Sequence, residues 1–328
     1  MPSSLKDLNK KRKKEYYKDH QEEDFLTAMN RLLQEREVAN YGDYEIEYPF
    51  IFVFGLPRSG TTLLGQLIAY SFDIGYIDNL AARFWLAPVH GIHLSKSVLG
   101  NEKKVAFESD YARTSNVADL HEFGYFWRHW LKKETADDHI HCQEREGEID
   151  WEGLKTTLSN IQREFDKALI FKNMFGAYHL KTLSRVLEKA LWVYIKRDPL
   201  DVAISILEAR KKHYDDLNTW WSNIPLEYNE LKDLDYYQQI AGQVVYLGRF
   251  YDRETQQLSK LFNNVVEVNY REMCFGPAAI LNRIEEACYR NWQFELKRAA
   301  NPPVSFPFRT YNDRQAEKGK FNLLLKKF

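Results

Sequence analysis

The stretch Gly55-Leu-Pro-Arg58-Ser59-Gly60-Thr61-Thr62 follows the apolar run Pro49 to Phe54 and opens a second apolar segment that ends near Tyr70. Two glycines let the backbone approach an anion closely. The first turn of a helix placed after them offers unpaired N–H groups and the positive end of its dipole. Thr61 and Thr62 add hydroxyl donors, and Arg58 brings a planar fork of N–H groups to the same oxygens. The glycine spacing matches the nucleotide-phosphate pattern G-x-x-x-x-G-K-[ST], but Thr61 stands where that pattern has its lysine. The cation is moved back to Arg58. These groups together point to an anion site rather than a plain strand–turn–helix corner.

An α/β chain is required to position such a loop. From Tyr48 onward, short apolar runs at 49–54, 168–171, 191–195 and 265–268 alternate with helix-prone stretches. The helical stretches run from Thr61 to Tyr70, Trp151 to Lys167, Ala177 to Lys189, Leu200 to Lys211 and Tyr236 to Phe262. This alternation predicts a P-loop-like parallel sheet flanked by helices, with ligands outside the carboxyl ends of the strands. Residues 1–47 differ in style, being charged and helix-prone. They are read as an amphipathic N-terminal arm with Phe25, Met29, Leu32 and Leu33 at helical spacing, and residues 48–328 as the main domain. The arm is expected to pack on that domain or on another subunit of a homo-oligomer.

Composition narrows the partners. The chain has 328 residues, 44% of them hydrophobic, with 46 basic and 47 acidic side chains. A net charge of −1 gives no general pull toward nucleic acid or an anionic membrane. In the arm, Glu22-Glu23-Asp24 directly follows the basic run, against a nucleic-acid tail. No apolar run is long enough for a membrane span, and the basic start is not followed by the apolar segment of a secretory signal. Cys142, Cys274 and Cys288 are odd in number and scattered, which suits a reducing compartment. A cytoplasmic protein is expected.

The loop Pro57-Arg58-Ser59-Gly60-Thr61-Thr62-Leu-Leu64 resembles the 5′-phosphosulfate loop of sulfotransferases, which use 3′-phosphoadenosine 5′-phosphosulfate (PAPS). Carbohydrate-type and bacterial branches of that family carry arginine in the loop, as here. A second stretch, Tyr194-Ile-Lys-Arg197-Asp198-Pro-Leu-Asp201-Val-Ala-Ile-Ser205, is similar to the family's 3′-phosphate site. Arg197 leaves a strand end and Ser205 lies two turns into the next helix, so both reach a phosphate beside that helix. Two anion sites at strand ends match a nucleotide phosphorylated at its 3′ and 5′ positions. Val268-Asn-Tyr270-Arg-Glu272 resembles the family's Tyr-Glu strand end beside the adenine, with an arginine inserted, and Tyr270 as an ordinary core tyrosine fits equally. Glu317-Lys318-Gly319-Lys320 resembles a basic Lys-Gly turn that closes over the 3′-phosphate, although basic residues there are usually only solvated. The resemblance covers roughly residues 48 to 290. It implies transfer of a sulfuryl group from PAPS to an acceptor hydroxyl, with 3′-phosphoadenosine 5′-phosphate (PAP) as product. The arginine loop tilts the acceptor toward a glycan or glycan-like molecule.

The chain departs from the family pattern at the base. Some members carry Lys-Thr-His at a strand end; here Lys172 is kept to stabilise the phosphosulfate, but Met174 takes the place of the histidine and cannot accept a proton. The substitute is sought in Asp119-Leu-His121-Glu122, where Phe123, Phe126, Trp127 and Trp130 predict a helix beginning near Asp119. His121 in its first turn would be kept neutral by the dipole and ready to accept a proton. Glu122 is an alternative base, or else a mere capping-box partner of Asp119. Asp78 is the third candidate. The aromatic stretches around Trp85 and Trp220-Trp221 are candidates for a sugar-stacking cleft.

The pairs His139/Cys142 and His90/His93 lack a second ligand pair at zinc spacing, so no metal is expected. Two readings from other classes stay open. A P-loop kinase or NTPase would use Asp198 to hold magnesium, and a non-catalytic nucleotide-binding protein of the same fold would keep both anion motifs.

Overall fold

The computed structural model describes residues 11–17, 19–100, 105–107 and 116–328; the first ten residues of the arm lie outside the described residues. The apolar runs become strands β1 (Phe50–Gly55), β3 (Leu169–Lys172), β4 (Ala190–Lys196) and β5 (Val265–Asn269). A fifth strand, β2 (Gly75–Tyr76), is two residues long, too short to leave a pattern in the sequence. All five are parallel neighbours in the order β2-β3-β1-β4-β5. The phosphate-loop strand β1 is therefore central, with Phe50 level with Leu169 on one side and Ala190 on the other.

Side chains of a strand alternate between its faces, and here both faces are covered. Phe50, Phe52 and Phe54 point to one face, where Phe52 stacks on Trp192 at 4.6 Å between ring centroids and Phe54 on Tyr194 at 5.0 Å. Ile51 and Val53 point to the other, where the helix Thr61–Ser71 buries Leu64, Leu67 and Ile68 against them. Each fully buried side chain of this kind contributes roughly 1.5–3 kcal/mol. The helices Trp151–Phe165, Pro199–His213 and Tyr236–Phe262 lie where the sequence places them. The stretch from Ala177 begins instead as a 3₁₀ turn, Gly176–Tyr178, and its α-helix is confined to Leu180–Leu187.

The arm forms a helix, His20–Ala39, opened by Asp19, whose carboxylate accepts from the N–H groups of Gln21 and Glu22. It packs on its own domain, yet not through the expected stripe. Phe25 is 66% exposed and Leu32 81%, while the buried contacts are polar. Asn30 accepts from Leu86 N–H at 2.8 Å and donates to the Arg83 carbonyl at 2.7 Å. Glu37 accepts from the N–H groups of Val89 and His90 at 2.7 and 3.1 Å, where it caps the helix Pro88–Leu99. Helical spacing marks an apolar stripe but cannot show that two polar side chains bond the backbone opposite. Among the described residues, no helix is long and apolar enough to cross a membrane.

Candidate active site

A cavity of about 660 Å³ opens at the carboxyl ends of β1, β3 and β4. Its floor is the loop after β1. Arg58 and Gly60 both have positive φ, 68° and 104°. Gly60 is required twice over: a Cβ there would be strained by its backbone and would stand 2.6 Å from Cδ2 of Tyr270. Thr61 and Thr62 open the helix with their side chains at the cavity, whereas Ser59 is buried beneath the loop.

The two anion motifs meet here. Arg58 Nε donates to Ser205 Oγ at 3.1 Å, and Arg197 Nη1 donates to the Arg58 carbonyl at 2.9 Å. The guanidinium of Arg197 lies 4.6 Å from the Tyr270 ring centroid, a cation–π contact. Its Nη2 donates to the carbonyl of Arg309 at 2.6 Å. Tyr270 is buried in the core and also lines the cavity. Lys172, at the end of β3, is 4% exposed; it donates to Thr62 Oγ1 at 2.7 Å and forms an ion pair with Glu122. Met174 lines the same wall.

The helix expected from Asp119 is not there. Residues 119–123 are not helical: Leu120 bridges to Asp78, and His121 N–H donates to the Ile77 carbonyl at 2.9 Å. Asp119 accepts from Gln66 Nε2 and from Leu120 N–H instead of capping a helix, and burial raises its pKa. Phe123 turns the chain with φ 54°, and the helix runs only over Gly124–Trp130. The pairing of this segment with 77–78 overrides the capping-box pattern. Glu122 lines the cavity; His121 does not, and its Nδ1 accepts from Phe123 N–H at 2.8 Å. Without a helix start at His121, the dipole argument for that imidazole lapses. Asp78 also lies away from the cavity, accepting from Leu80 and Ala81 N–H and from Ser95 Oγ, with burial raising its pKa.

Lys318-Gly319-Lys320 is not a turn but part of the helix Gln315–Lys327. Lys320 lies 4.5 Å from the Tyr237 ring centroid, and Lys318 donates to Asn312 Oδ1 at 2.8 Å. The segment that reaches the cavity is the extended one before that helix, carrying Phe306, Pro307 and Arg309, and tied down by Phe306 N–H on the Cys274 carbonyl at 2.7 Å. Asp198 caps the helix Pro199–His213 through the N–H groups of Leu200 and Asp201. Trp220 and Trp221 line the cavity, whereas Trp85 stacks on Tyr125 away from it.

Several lining groups were not read from the sequence as part of this site. Arg12, Arg128, His139 and Arg309 come from four separate segments, and only the fold brings them to one wall. His139 is buried against the rings of Phe175 and Tyr178, and burial lowers its pKa to about 3. Among the described residues, no three His, Cys, Asp or Glu side chains converge as a metal-ion cluster.

The strand–loop–helix anion site at the centre of this sheet lies inside a longer match. A family model described as the sulfotransferase family matches residues 49–293, about three quarters of the chain. The protein belongs to the sulfotransferase family, which makes sulfuryl transfer its general chemistry. Among solved structures it is similar to sulfotransferase STF9 from Mycobacterium avium at 16% identity and a TM-score of 0.48, over 91% of this chain and 80% of that one. Sulfotransferase STF1 from Mycobacterium tuberculosis is similar at 15% identity and a TM-score of 0.48, over 92% and 82% of the two chains. The sulfotransferase domain of the Synechococcus PCC 7002 olefin synthase is similar at 14% identity and a TM-score of 0.39, over 88% and 97%. No curated protein matches the sequence.

Proposed function

We propose that this sulfotransferase moves the sulfuryl group of PAPS to an acceptor hydroxyl of a glycan or glycan-like molecule in the cytoplasm. The observation that carries the reading is the joining of the two anion motifs: Arg58 bonds Ser205, and Arg197 holds the Arg58 carbonyl. In this reading Arg197 and Ser205 take the 3′-phosphate and the Tyr270 ring flanks the adenine. Ser59 shapes the loop from below, and the N–H groups after Gly60, with Thr61 and Thr62, take the 5′-phosphate.

The acceptor oxygen forms a bond to sulfur as the bond from sulfur to the bridging phosphate oxygen breaks, releasing PAP. Arg58, the loop N–H groups and Lys172 are placed to meet the charge that grows on that departing oxygen. Glu122 is the base that takes the acceptor proton. It pairs with Lys172 in the resting enzyme, and Lys172 is drawn toward the leaving oxygen as charge develops there. Asp198, spent on capping its helix, gives no support to magnesium chemistry.

PAP without magnesium should raise the melting temperature. A ligand at a hundred times its dissociation constant adds about 2.7 kcal/mol. A shift with magnesium–ATP and none with PAP would replace this reading with a kinase.

A further inference from the structure

The cavity is more basic than a nucleotide with two phosphate sites requires. Among its described lining residues, Glu122 is the only carboxylate, against Arg12, Arg58, Arg128, Lys172, Arg197 and Arg309. The proposed nucleotide sites employ Arg58, Lys172 and Arg197, and Arg309 stands beside them through its bond to Arg197. Arg12 and Arg128 stand elsewhere.

The helix Pro199–His213 measures their separation. Arg197 precedes its first turn, while Arg12 bridges to Tyr214 just past its last and Lys13 N–H donates to the His213 carbonyl at 2.9 Å. Fifteen helical residues at 1.5 Å each span about 22 Å. Arg12 is thus held at the opposite end of the cavity from the 3′-phosphate site.

At that end, Nε and Nη1 of Arg12 are buried and have no hydrogen-bond partner among the described residues. Arg128 gives Nη2 to Glu134 at 2.6 Å, but its Nε is buried and, among the described residues, unpartnered too. Arg128 stands over the ring of Tyr125, 5.7 Å from its centroid. Burial and Glu23 push its hydroxyl pKa up, and Arg128 and Arg12 both oppose that rise. His139, which lines the same cavity, has neither ring nitrogen bonded among the described residues. Buried guanidinium N–H groups left without an acceptor are costly, and an oxyanion removes that cost through charge-assisted bonds.

We propose that the acceptor is an anion: while its hydroxyl faces Glu122, a carboxylate, sulfate or phosphate group elsewhere on it is gripped by Arg12 and Arg128. The proposal rests on the sulfotransferase reading for the direction in which the acceptor lies. Trp220 and Trp221, which line the cavity, supply apolar surface for the body of the molecule.

Calorimetry on the full chain tests it, with PAP titrated first and then 6-hydroxy-2-naphthoate, 6-hydroxy-2-naphthalenesulfonate and 2-naphthol. The two anions should bind at least ten-fold tighter than 2-naphthol, and the stronger of them tells a carboxylate from a sulfate-like group. Arg12→Gln and Arg128→Gln should each erase the preference while leaving PAP affinity and melting temperature at wild-type values. Absence of PAP binding would remove the PAPS reading on its own and leave the naphthol comparison to be judged separately. Equal binding of all three naphthols, no binding of the two anions, or a preference that survives in both variants would overturn the anionic acceptor.

Discussion

Arg58 Nε and Ser205 Oγ are 3.1 Å apart although 147 residues separate them in the chain. One hydrogen bond thus couples the loop proposed to face the 5′ end of the nucleotide to the helix proposed to face its 3′ end. Losing a bond to a charged group costs about 1.5–3 kcal/mol. Ser205→Ala is therefore expected to weaken PAP binding roughly 10- to 100-fold. Titration calorimetry reads this directly; an unchanged dissociation constant would separate the two motifs.

Arg197 has more to lose. It holds the carbonyls of Arg58 and Arg309 and lies on the Tyr270 ring, a geometry that needs a planar fork. Arg197→Ala should reduce PAP affinity by about 100-fold or more and lower the melting temperature. Arg197→Lys should restore charge but not affinity, because one ammonium cannot span both carbonyls. Full rescue by lysine would show that only the charge matters.

Glu122→Gln should lower turnover by roughly 10²–10⁴-fold, the range of general acid–base catalysis, with PAP affinity nearly unchanged. His121→Ala gives the contrast: it removes an acceptor from Phe123 N–H and should lower melting more than turnover. If His121→Ala abolishes turnover at normal stability while Glu122→Gln is active, the base has been assigned to the wrong neighbour.

His139 makes stability depend on pH in a stated direction. Burial lowers its folded pKa from 6.5 to about 3, so below pH 6.5 the unfolded chain takes up a proton that the folded chain refuses. Its contribution is complete above pH 6.5 and is lost as pH falls toward about 3. Asp78 and Asp119, whose pKa values burial raises, act with the opposite sign, losing stability as pH rises through their folded values. A His139→Phe variant isolates the histidine: urea melts should show its stability relative to wild type improving as the solution is acidified. A constant difference across that range would mean the imidazole titrates alike in the folded and unfolded chains.

The fold was legible where patterns were local. Runs such as Phe50–Phe54 and Leu191–Ile195 are apolar because both faces of the sheet are covered, and they became β1 and β4. The loop glycines and Arg197 could be read because each motif is contiguous. What failed was long-range. Asp119 and Glu122 have capping-box spacing, but Asp119 meets Gln66 and the chain beside it pairs with residues 77–78. The Lys318-Gly319-Lys320 stretch reads as a turn because glycine is a poor helix former, yet it is helical, in a helix that buries Phe321. At the proposed acceptor end only Trp220 and Trp221 were marked by the sequence, since Arg12, Arg128 and His139 are gathered only by tertiary packing.

The strand order also sets how this chain must be made. β1 has its partners at Leu169 and Ala190, so its first neighbour lies more than a hundred residues downstream. At roughly 5–20 residues per second, synthesis needs about 6 to 24 s to bring the first partner out, and a further interval for the second. During that wait the most apolar strand, Phe-Ile-Phe-Val-Phe, has two open edges and no sheet to join. Nascent chains arrested before residue 165 should bind a hydrophobic holdase chaperone and be cut by protease near β1, whereas chains arrested after residue 300 should resist; early protection would contradict this order. The place that makes β1 the best foundation for the phosphate loop in the finished protein makes it the segment most in need of a chaperone before then.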